Sequence, residues 1–407
     1  MCMEKKITPV LLGADLNCYC VARAFHEKYG VVTEAFGRYA VGATDNSRIV
    51  NFHVVKDLDD PLTAVRVLRD FASEHGDETL ILLGCTDDYA ALIIDCRDQL
   101  SDKYFVPYSS RETADKLADK ADFYKVCDRY GILYPKTLVT DSGFSRDEFS
   151  ESSLGFRYPI IVKPSSSDDY WKHPFDGMKK VYSAQTPEEA YDIVSKIYSS
   201  GYPKRMILQD MVPGDDSFMN VLTCYSGKDG RVKMACYGHV LLQEHVPKGL
   251  GNHTVILTES HPEQTAVLRN MLDDLGYVGF SNFDIKYDSR DGSYRAFEIN
   301  LRQGRSNYYI TAAGLNLAEF LVRDCLGEDI PYTECSAEHL WYYVPKSVIR
   351  KYVRDPKLIE RVRKAEKEKR ATSTLWYRPD LRANPKRLAF VMAYLYNQKR
   401  KYKKYCK

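Results

Sequence analysis

The order of apolar and polar residues divides the chain into two differently patterned stretches. In the first, strand-length apolar runs alternate with helical periodicity. Thr8–Gly13 (TPVLLG) has the length and content of a buried strand. A helix follows as far as Tyr29, with Asp15 or Asn17 placed to cap its start and Gly30 to stop it. Val31–Gly37 (VVTEAFG) reads as a second strand. Between Pro61 and His75, Leu62, Val65, Leu68 and Phe71–Ala72 recur at helical spacing. Glu78–Gly84 (ETLILLG) is another buried strand, and a helix from Asp87 to Leu100 follows it. This β-α-β alternation implies a parallel, doubly wound layer over residues 1–110. The lone glycines of its first turn make no dinucleotide fingerprint.

Past Ser110 the pattern changes. Phe123, Val126, Cys127 and Tyr130 fall on one helical face, and Gly131 ends that helix. Strands are predicted at 136–140, 158–164 and 206–212. Thr186-Pro187 opens a helix to residue 200, a capping hydroxyl preceding proline at the first helical position. Two hairpins follow, one turning at Gly227-Lys228-Asp229-Gly230 and one at Ser289–Ser293.

A chain of 407 residues exceeds what one core usually serves, so two or three domains are expected. No apolar run approaches the roughly 20 residues of a membrane span, and the N-terminus lacks the apolar region of a secretory signal. The eleven cysteines include no CxxC and no Cys/His cluster, which predicts reduced thiols in a cytoplasmic setting rather than zinc or disulfides. From Lys346 to Lys407 there are 21 basic and 5 acidic residues, a net +16. The chain total of +2 therefore leaves −14 on the first 345 residues. A basic tail on an acidic body suits an anionic partner, phospholipid or nucleic acid, although no nucleic-acid recognition motif accompanies it.

The segment richest in chemistry is Ser281–Asn300 (SNFDIKYDSRDGSYRAFEIN). A hairpin symmetric about Asp291 sets Asp284 opposite Glu298, Phe283 opposite Ile299 and Ile285 opposite Phe297. Alternation then puts Phe283, Ile285, Phe297 and Ile299 on a core face, and Asp284, Glu298 and Asn300 on the other. Two opposed carboxylates repel unless a cation lies between them, and oxygen ligands without His or Cys favour Mg²⁺. The alternative is a hairpin with one solvated polar face, and a one-residue slip would undo the pairing.

An Asp followed about fourteen residues later by Glu-x-Asn resembles the metal-binding pattern of ATP-grasp enzymes, whose members include D-alanine–D-alanine ligase and biotin carboxylase. The rest of that signature occurs upstream in order: ADKADFYKVCDRYGILYPKT with Lys120, YPIIVKP with Lys163, and MILQDMVPGDDS. The resemblance implies that Lys120 and Lys163 contact ATP phosphates, that Gln209, Asp210, Met211 and Val212 meet the adenine edge, and that Asp216 holds the ribose. It implies that Asp284, Glu298 and Asn300 hold Mg²⁺, and that Arg302, with Arg305 and Ser306, stabilises the reacting acyl group. Ser165–Ser167, Lys179 and Lys180 match a phosphate lid that departs from the glycine-rich form, having only Gly177. His239, His245 and His253, with Lys248 and the Gly249–Gly251 turn, sit where a substrate pocket is expected, although for each histidine a structural role outweighs a catalytic one.

More narrowly, PVLLGADLNCYCVARAFHEKYGV, VPYSSRETADKLADKADFYKVC and EINLRQGRSNYYITAAGLNL resemble the D-aspartate ligases of Gram-positive cell-wall synthesis. That implies an ATP-dependent carboxylate–amine ligase working through an acyl phosphate, adding an amino acid such as D-aspartate to a peptidoglycan precursor. A ligase for free amino acids or sugar acids, or a non-catalytic ATP- or nucleic-acid-binding protein, are the alternatives. The expected fold is α/β, α+β in part. A Rossmann-like pre-ATP-grasp domain (1–110) precedes an ATP-grasp domain (111–330, lid at about 141–205), and a basic helical extension (331–407) follows. In the extension, Leu388–Tyr396 is apolar and aromatic and the residues after Gln398 are mostly Lys and Arg, with Tyr402 and Tyr405 between them. This segment suits either an anionic membrane surface or a helix packed on the ligase core.

Overall fold

A computed structural model describes residues 6–40, 42–247 and 249–406, without the side chains of Ser167 and Asp168. Strands β1 (Ile7–Leu12), β2 (Thr33–Gly37), β3 (Val50–Val54) and β4 (Thr79–Gly84) form a parallel sheet in the order β3-β2-β1-β4. β1 and β4 are almost wholly buried, as parallel strands covered on both faces must be. The helix after β1 spans Leu16–Tyr29, with Asp15 accepting from the Asn17 and Cys18 amides and Gly30 left-handed at φ +67°. So Asp15 is the cap. β3 was not anticipated from the sequence, and the helix expected over 87–100 is two pieces, Asp87–Asp95 and Arg97–Leu100, parted at Cys96.

β5 (Thr137–Thr140), β6 (Ile160–Pro164), β7 (Tyr182–Ala184) and β8 (Met206–Asp210) make a separate antiparallel sheet ordered β5-β8-β6-β7. The helix Pro187–Ser199 packs Ala190, Val194 and Ile197 onto it beside Phe149, Ile160 and Leu208.

The third sheet has eight strands. These are β9 (Met219–Ser226), β10 (Val232–Gln243), β11 (His253–Thr258), β12 (Gly279–Asp288), β13 (Ser293–Asn300), β14 (Thr333–Glu334), β15 (Leu340–Tyr342) and β16 (Ala371–Ser373). Their order is β13-β12-β9-β10-β11-β15-β16, with β14 beside β10. Residues 331–407 are therefore not all helical. β15 and β16 are three-residue strands that extend this sheet.

The last helix, Pro385–Tyr405, turns Arg387, Val391, Leu395, Gln398 and Tyr402 inward. Arg387 reaches the carbonyls of Gly42 and Asp45 beside the first sheet. Near the helix end, the Tyr402 hydroxyl bonds the Gln243 carbonyl at 2.7 Å and Thr254 Oγ1 at 2.5 Å, at the end of the third sheet. A 21-residue helix is about 32 Å long, so one rigid element bridges both layers. The packed-helix reading of the tail therefore holds for its inner face. Among the described residues no helix is long and apolar enough to cross a membrane.

Candidate active site

The β12–β13 hairpin pairs Asp284 with Glu298 and Phe283 with Ile299, then breaks register. A β-bulge between Asp284 and Ile285 pairs Ile285 with Ala296 instead of Phe297. The expected Ile285–Phe297 pair and the core place of Phe297 are thus wrong. One extra residue on β13 rotates the alternation, so Ala296 is buried in the core and Phe297 is released from it. Phe297 instead underlies Lys163, whose Nζ lies 5.5 Å from the ring centroid.

Lys120 and Lys163 come together with these carboxylates. Lys120 is the first residue of the helix Lys120–Tyr130, capped by Asp119, and its Nζ stands 2.9 Å from Glu298 Oε2. Lys163 Nζ lies at the end of β6, 3.4 Å from the Tyr124 hydroxyl. Tyr124 is one helical turn beyond Lys120, donates to the Phe297 carbonyl at 2.9 Å, and accepts from Gln209 Nε2 at 2.8 Å. Burial, followed by the neighbouring Lys120 ammonium, brings Lys163 down to about 7. Burial, followed by the facing Glu298, pushes Asp284 upward. Burial also acts against the charge of Glu298, but Lys120, Lys180 and Lys163 together hold it low. The cleft therefore carries opposed carboxylates and several ammonium groups that a polyphosphate and a divalent cation would balance. The donor set is oxygen only, with Asn300 at the far end of the ladder donating to the Asn282 carbonyl at 3.3 Å. It fits Mg²⁺ shared with phosphate oxygens, since Mg²⁺ takes few protein ligands in such sites.

The remaining sequence-derived residues fall into three places. Along the hinge, Asp210 is ion-paired to Arg290 at 2.6 Å, Met211 is exposed, and the buried Val212 offers its carbonyl to Lys286 Nζ at 2.9 Å. Asp216 Oδ2 accepts from the Gln243 amide at 2.8 Å and from His245 Nε2 at 2.9 Å. In the lid, Ser165 is buried and donates to Asp119, so it braces the Lys120 helix, and Ser166 caps its own short helix. Lys179 lies against the Tyr182 ring, whereas Lys180 acts on Glu298, Asp284 and Lys163. His239 bonds the Ser217 carbonyl and faces Glu259. His253 Nε2 is 3.8 Å from Asp284, and burial lowers its pKa to about 4, keeping it neutral. Lys248 lies outside the described residues.

The third place is the loop after β13. Arg302 pairs with Asp87 through Nε at 2.8 Å. Gln303 Nε2 donates to the Gly84 carbonyl at 3.1 Å, and Asn17 Nδ2 donates to the carbonyls of Gln303 and Cys85. Arg305 Nη1 stands 3.6 Å from Glu244, and Ser306 is buried beside Asn307, whose Nδ2 donates to Asn17 Oδ1 at 2.6 Å. These contacts fasten the arginine loop to the C-terminal ends of β1 and β4. There the strand order reverses, the usual place for a ligand crevice in a parallel sheet. Sequence reasoning missed Tyr124, Asp87 and Glu244. Tyr124 had a signal, the i, i+4 spacing from Lys120.

Among known proteins, the chain is 37% identical over 415 residues to a D-aspartate ligase of Enterococcus faecium, covering 99% of this chain and 97% of that one. The fold resembles the biotin carboxylase domain of Hydrogenobacter thermophilus 2-oxoglutarate carboxylase, solved with MgADP, ADP and bicarbonate. The TM-score is 0.61 at 16% identity, over 83% of this chain and 73% of that one. It also resembles an L-amino acid ligase from Bacillus licheniformis, with a TM-score of 0.52 at 14% identity over 80% and 75% of the two chains. No family model matches the chain.

Proposed function

The chain belongs to the D-aspartate ligase family, and from that premise we propose that it activates the β-carboxylate of D-aspartate and joins it to the lysine side chain of a peptidoglycan precursor. The reaction type is that of an ATP-dependent carboxylate–amine ligase with an ATP-grasp fold, and ATP and Mg²⁺ serve it. The observation that carries the proposal is the convergence of Lys120 and Lys163 on the opposed Asp284 and Glu298.

In this reading Lys120, Lys163 and Lys180 steady the ATP phosphates, residues Gln209–Val212 meet adenine and Asp216 holds ribose. Asp284, Glu298 and Asn300 would hold Mg²⁺, which would supply neutralisation of phosphate charge. Arg302, anchored by Asp87, faces the acyl phosphate and the tetrahedral intermediate formed when the amine attacks. The catalysis is orientation and charge neutralisation, with no side-chain nucleophile. The division at 1–110, 111–330 and 331–407, with a lid at about 141–205, belongs to the same proposal. An ADP-release assay over D- and L-amino acids, with and without a peptidoglycan precursor, tests it. ADP release with D-aspartate, stimulated by the precursor, is the expected result. A preference for another amino acid or a sugar acid would redirect it to the alternative ligases.

We also place the enzyme in the cytoplasm, at an anionic inner leaflet. On the outer face of the last helix, Leu388, Met392 and Tyr396 are 41%, 55% and 64% exposed at i, i+4 spacing, and exposed Lys399 and Lys403 continue the same line. An apolar stripe running into lysines suits the headgroup level. Full-length protein should co-sediment with anionic liposomes at low salt, and a Leu388→Ser, Met392→Ser, Tyr396→Ser variant should not. Equal sedimentation of the two would remove the membrane reading.

A further inference from the structure

Beside the arginine loop lies a second polar cluster that the nucleotide site does not use. Glu244, 4% exposed, follows β10 and stands 3.6 Å from Arg305 Nη1. Tyr343, fully buried just past β15, feels the charges of both, and its ring centroid is 6.4 Å from that of Tyr394 on the last helix. Gln398, one turn beyond Tyr394 and 1% exposed, donates from Nε2 to Glu244 Oε1 at 3.3 Å. Asn252 Nδ2 reaches Glu244 Oε2 at 3.4 Å. Among the described residues, three buried polar atoms here have no hydrogen-bond partner: Arg305 Nε, the Tyr343 hydroxyl and Gln398 Oε1. Buried polar atoms are nearly always paired, so three orphans around one ion pair mark a place built for something else. At 3.6 Å the pair itself is longer than a charge-assisted hydrogen bond.

We propose that Glu244, Arg305 and Tyr343, closed over by Tyr394 and Gln398 of the C-terminal helix, form the pocket for the α-ammonium and α-carboxylate of the amino-acid donor. The proposal rests on the ligase reading above. A free amino acid presents one cation and one anion on the same carbon, the complement of a carboxylate and a guanidinium side by side. Arg305 offers the planar fork suited to a carboxylate. Glu244 and the oxygen atoms of Tyr343 and Gln398 offer acceptors to an ammonium, which has three donors. The cluster opens outward at Arg305 and Asp15, whose side chains are 31% and 36% exposed and 3.9 Å apart. It also adjoins the reacting centre. β10 ends at Gln243, paired with His253, and His253 is 3.8 Å from Asp284. A ligase that activates a side-chain carboxylate must hold the α groups away from the γ-phosphate. This pocket does so on the Arg305 side of the loop, leaving the side-chain carboxylate to Arg302. The C-terminal helix is then a wall of the substrate site as well as a strap across the layers.

The test uses full-length protein and the amino acid that the wild type turns over best. Tyr343→Phe and Gln398→Met should each raise its KM about tenfold, the loss of one hydrogen bond to a charged group, with the KM for ATP within about twofold. Titration of the same amino acid into ADP-saturated protein should weaken by the same factor. Tyr343→Phe removes only an oxygen that makes no hydrogen bond among the described residues, so its folding is not in question. If the wild type turns over the amino acid while both variants keep its KM within about twofold, the pocket is wrong and the ligase reading stands. If both KM values rise together, these residues act on the fold as a whole and the pocket is equally wrong. A wild type that releases no ADP with any amino acid overturns the ligase reading, and the pocket with it.

Discussion

Lys120 Nζ lies 2.9 Å from Glu298 Oε2, joining the first turn of one helix to the bulged strand of the hairpin. This ammonium balances the carboxylate's charge. Glu298→Gln keeps the shape but removes that charge. It should lower Mg²⁺-dependent ADP release at least about 10²-fold, the scale for losing one electrostatic group in an active site. The circular dichroism spectrum should be unchanged. Turnover near the wild-type rate would show that the hairpin does not hold the metal.

Lys163 supplies a proton-linked prediction. With its pKa at about 7 in the free protein, Lys163 is mostly neutral at pH 8. Bound phosphate favours its charged form, so ATP binding at pH 8 should take up a proton, and at pH 6, where Lys163 is already charged, much less. Calorimetric titrations of ATP in buffers of different ionisation enthalpy measure this directly. The uptake at pH 8 should vanish in Lys163→Met. Equal uptake at both pH values, or its survival in the variant, would assign the proton elsewhere.

His245 gives a second pH dependence. Its hydrogen bond to Asp216 raises its pKa against the opposing effect of burial. A histidine with a raised folded-state pKa contributes stability that is complete below its unfolded value, about 6.5, and lost as pH climbs through the folded value. The thermal midpoint of His245→Gln should therefore fall below that of the wild type at pH 5.5, and the gap should narrow at pH 8.5. A gap independent of pH would mean that the ring is held by packing.

What the residues disclosed in advance depended on range. The alternation of β1, β2 and β4 with helices, the Thr186 cap and the Asp284–Glu298 pair were legible because each is set by neighbours within one element or one hairpin, and the first helix's cap was narrowed to Asp15 or Asn17. The bulge was not, since a symmetric hairpin and a bulged one share the same polar pattern up to Asp284, and only the placing of Phe297 tells them apart. β15 and β16 are three residues long, too short to show a period, and owe their existence to partners far along the chain: Leu340–Tyr342 lies between Val255–Leu257 and Ala371–Ser373. The Arg302–Asp87 pair and the Glu244 cluster likewise join remote segments. In each case the site residue was visible as a residue, and its partner was not.

The pair that fixes the last helix makes the final prediction. Arg387 Nε donates to Asp380 Oδ2 at 2.9 Å, and both side chains are 0% exposed. Asp380 also accepts from the Tyr19 hydroxyl at 2.8 Å, Ser47 Oγ at 2.9 Å and the Arg48 amide at 2.6 Å. The guanidinium lies 4.4 Å from the Tyr19 ring centroid. Arg387→Met fills much of the volume but leaves a buried carboxylate without its cation. Removing one partner of a buried ion pair costs about 3–5 kcal/mol. Urea denaturation of the full chain should register a loss of that size. Adding Asp380→Asn should recover part of it, because an amide oxygen in the Oδ1 place still accepts from Ser47 and Arg48, the NH2 in the Oδ2 place donates to the Tyr19 hydroxyl oxygen, and the stranded charge is gone. The two changes are then non-additive, as expected for contacting residues. Because the same helix carries Tyr394 and Gln398 to Glu244, Arg387→Met should also weaken amino-acid binding more than ATP binding. A loss under about 1 kcal/mol, or additive effects of the two substitutions, would show that this pair does not hold the helix in place.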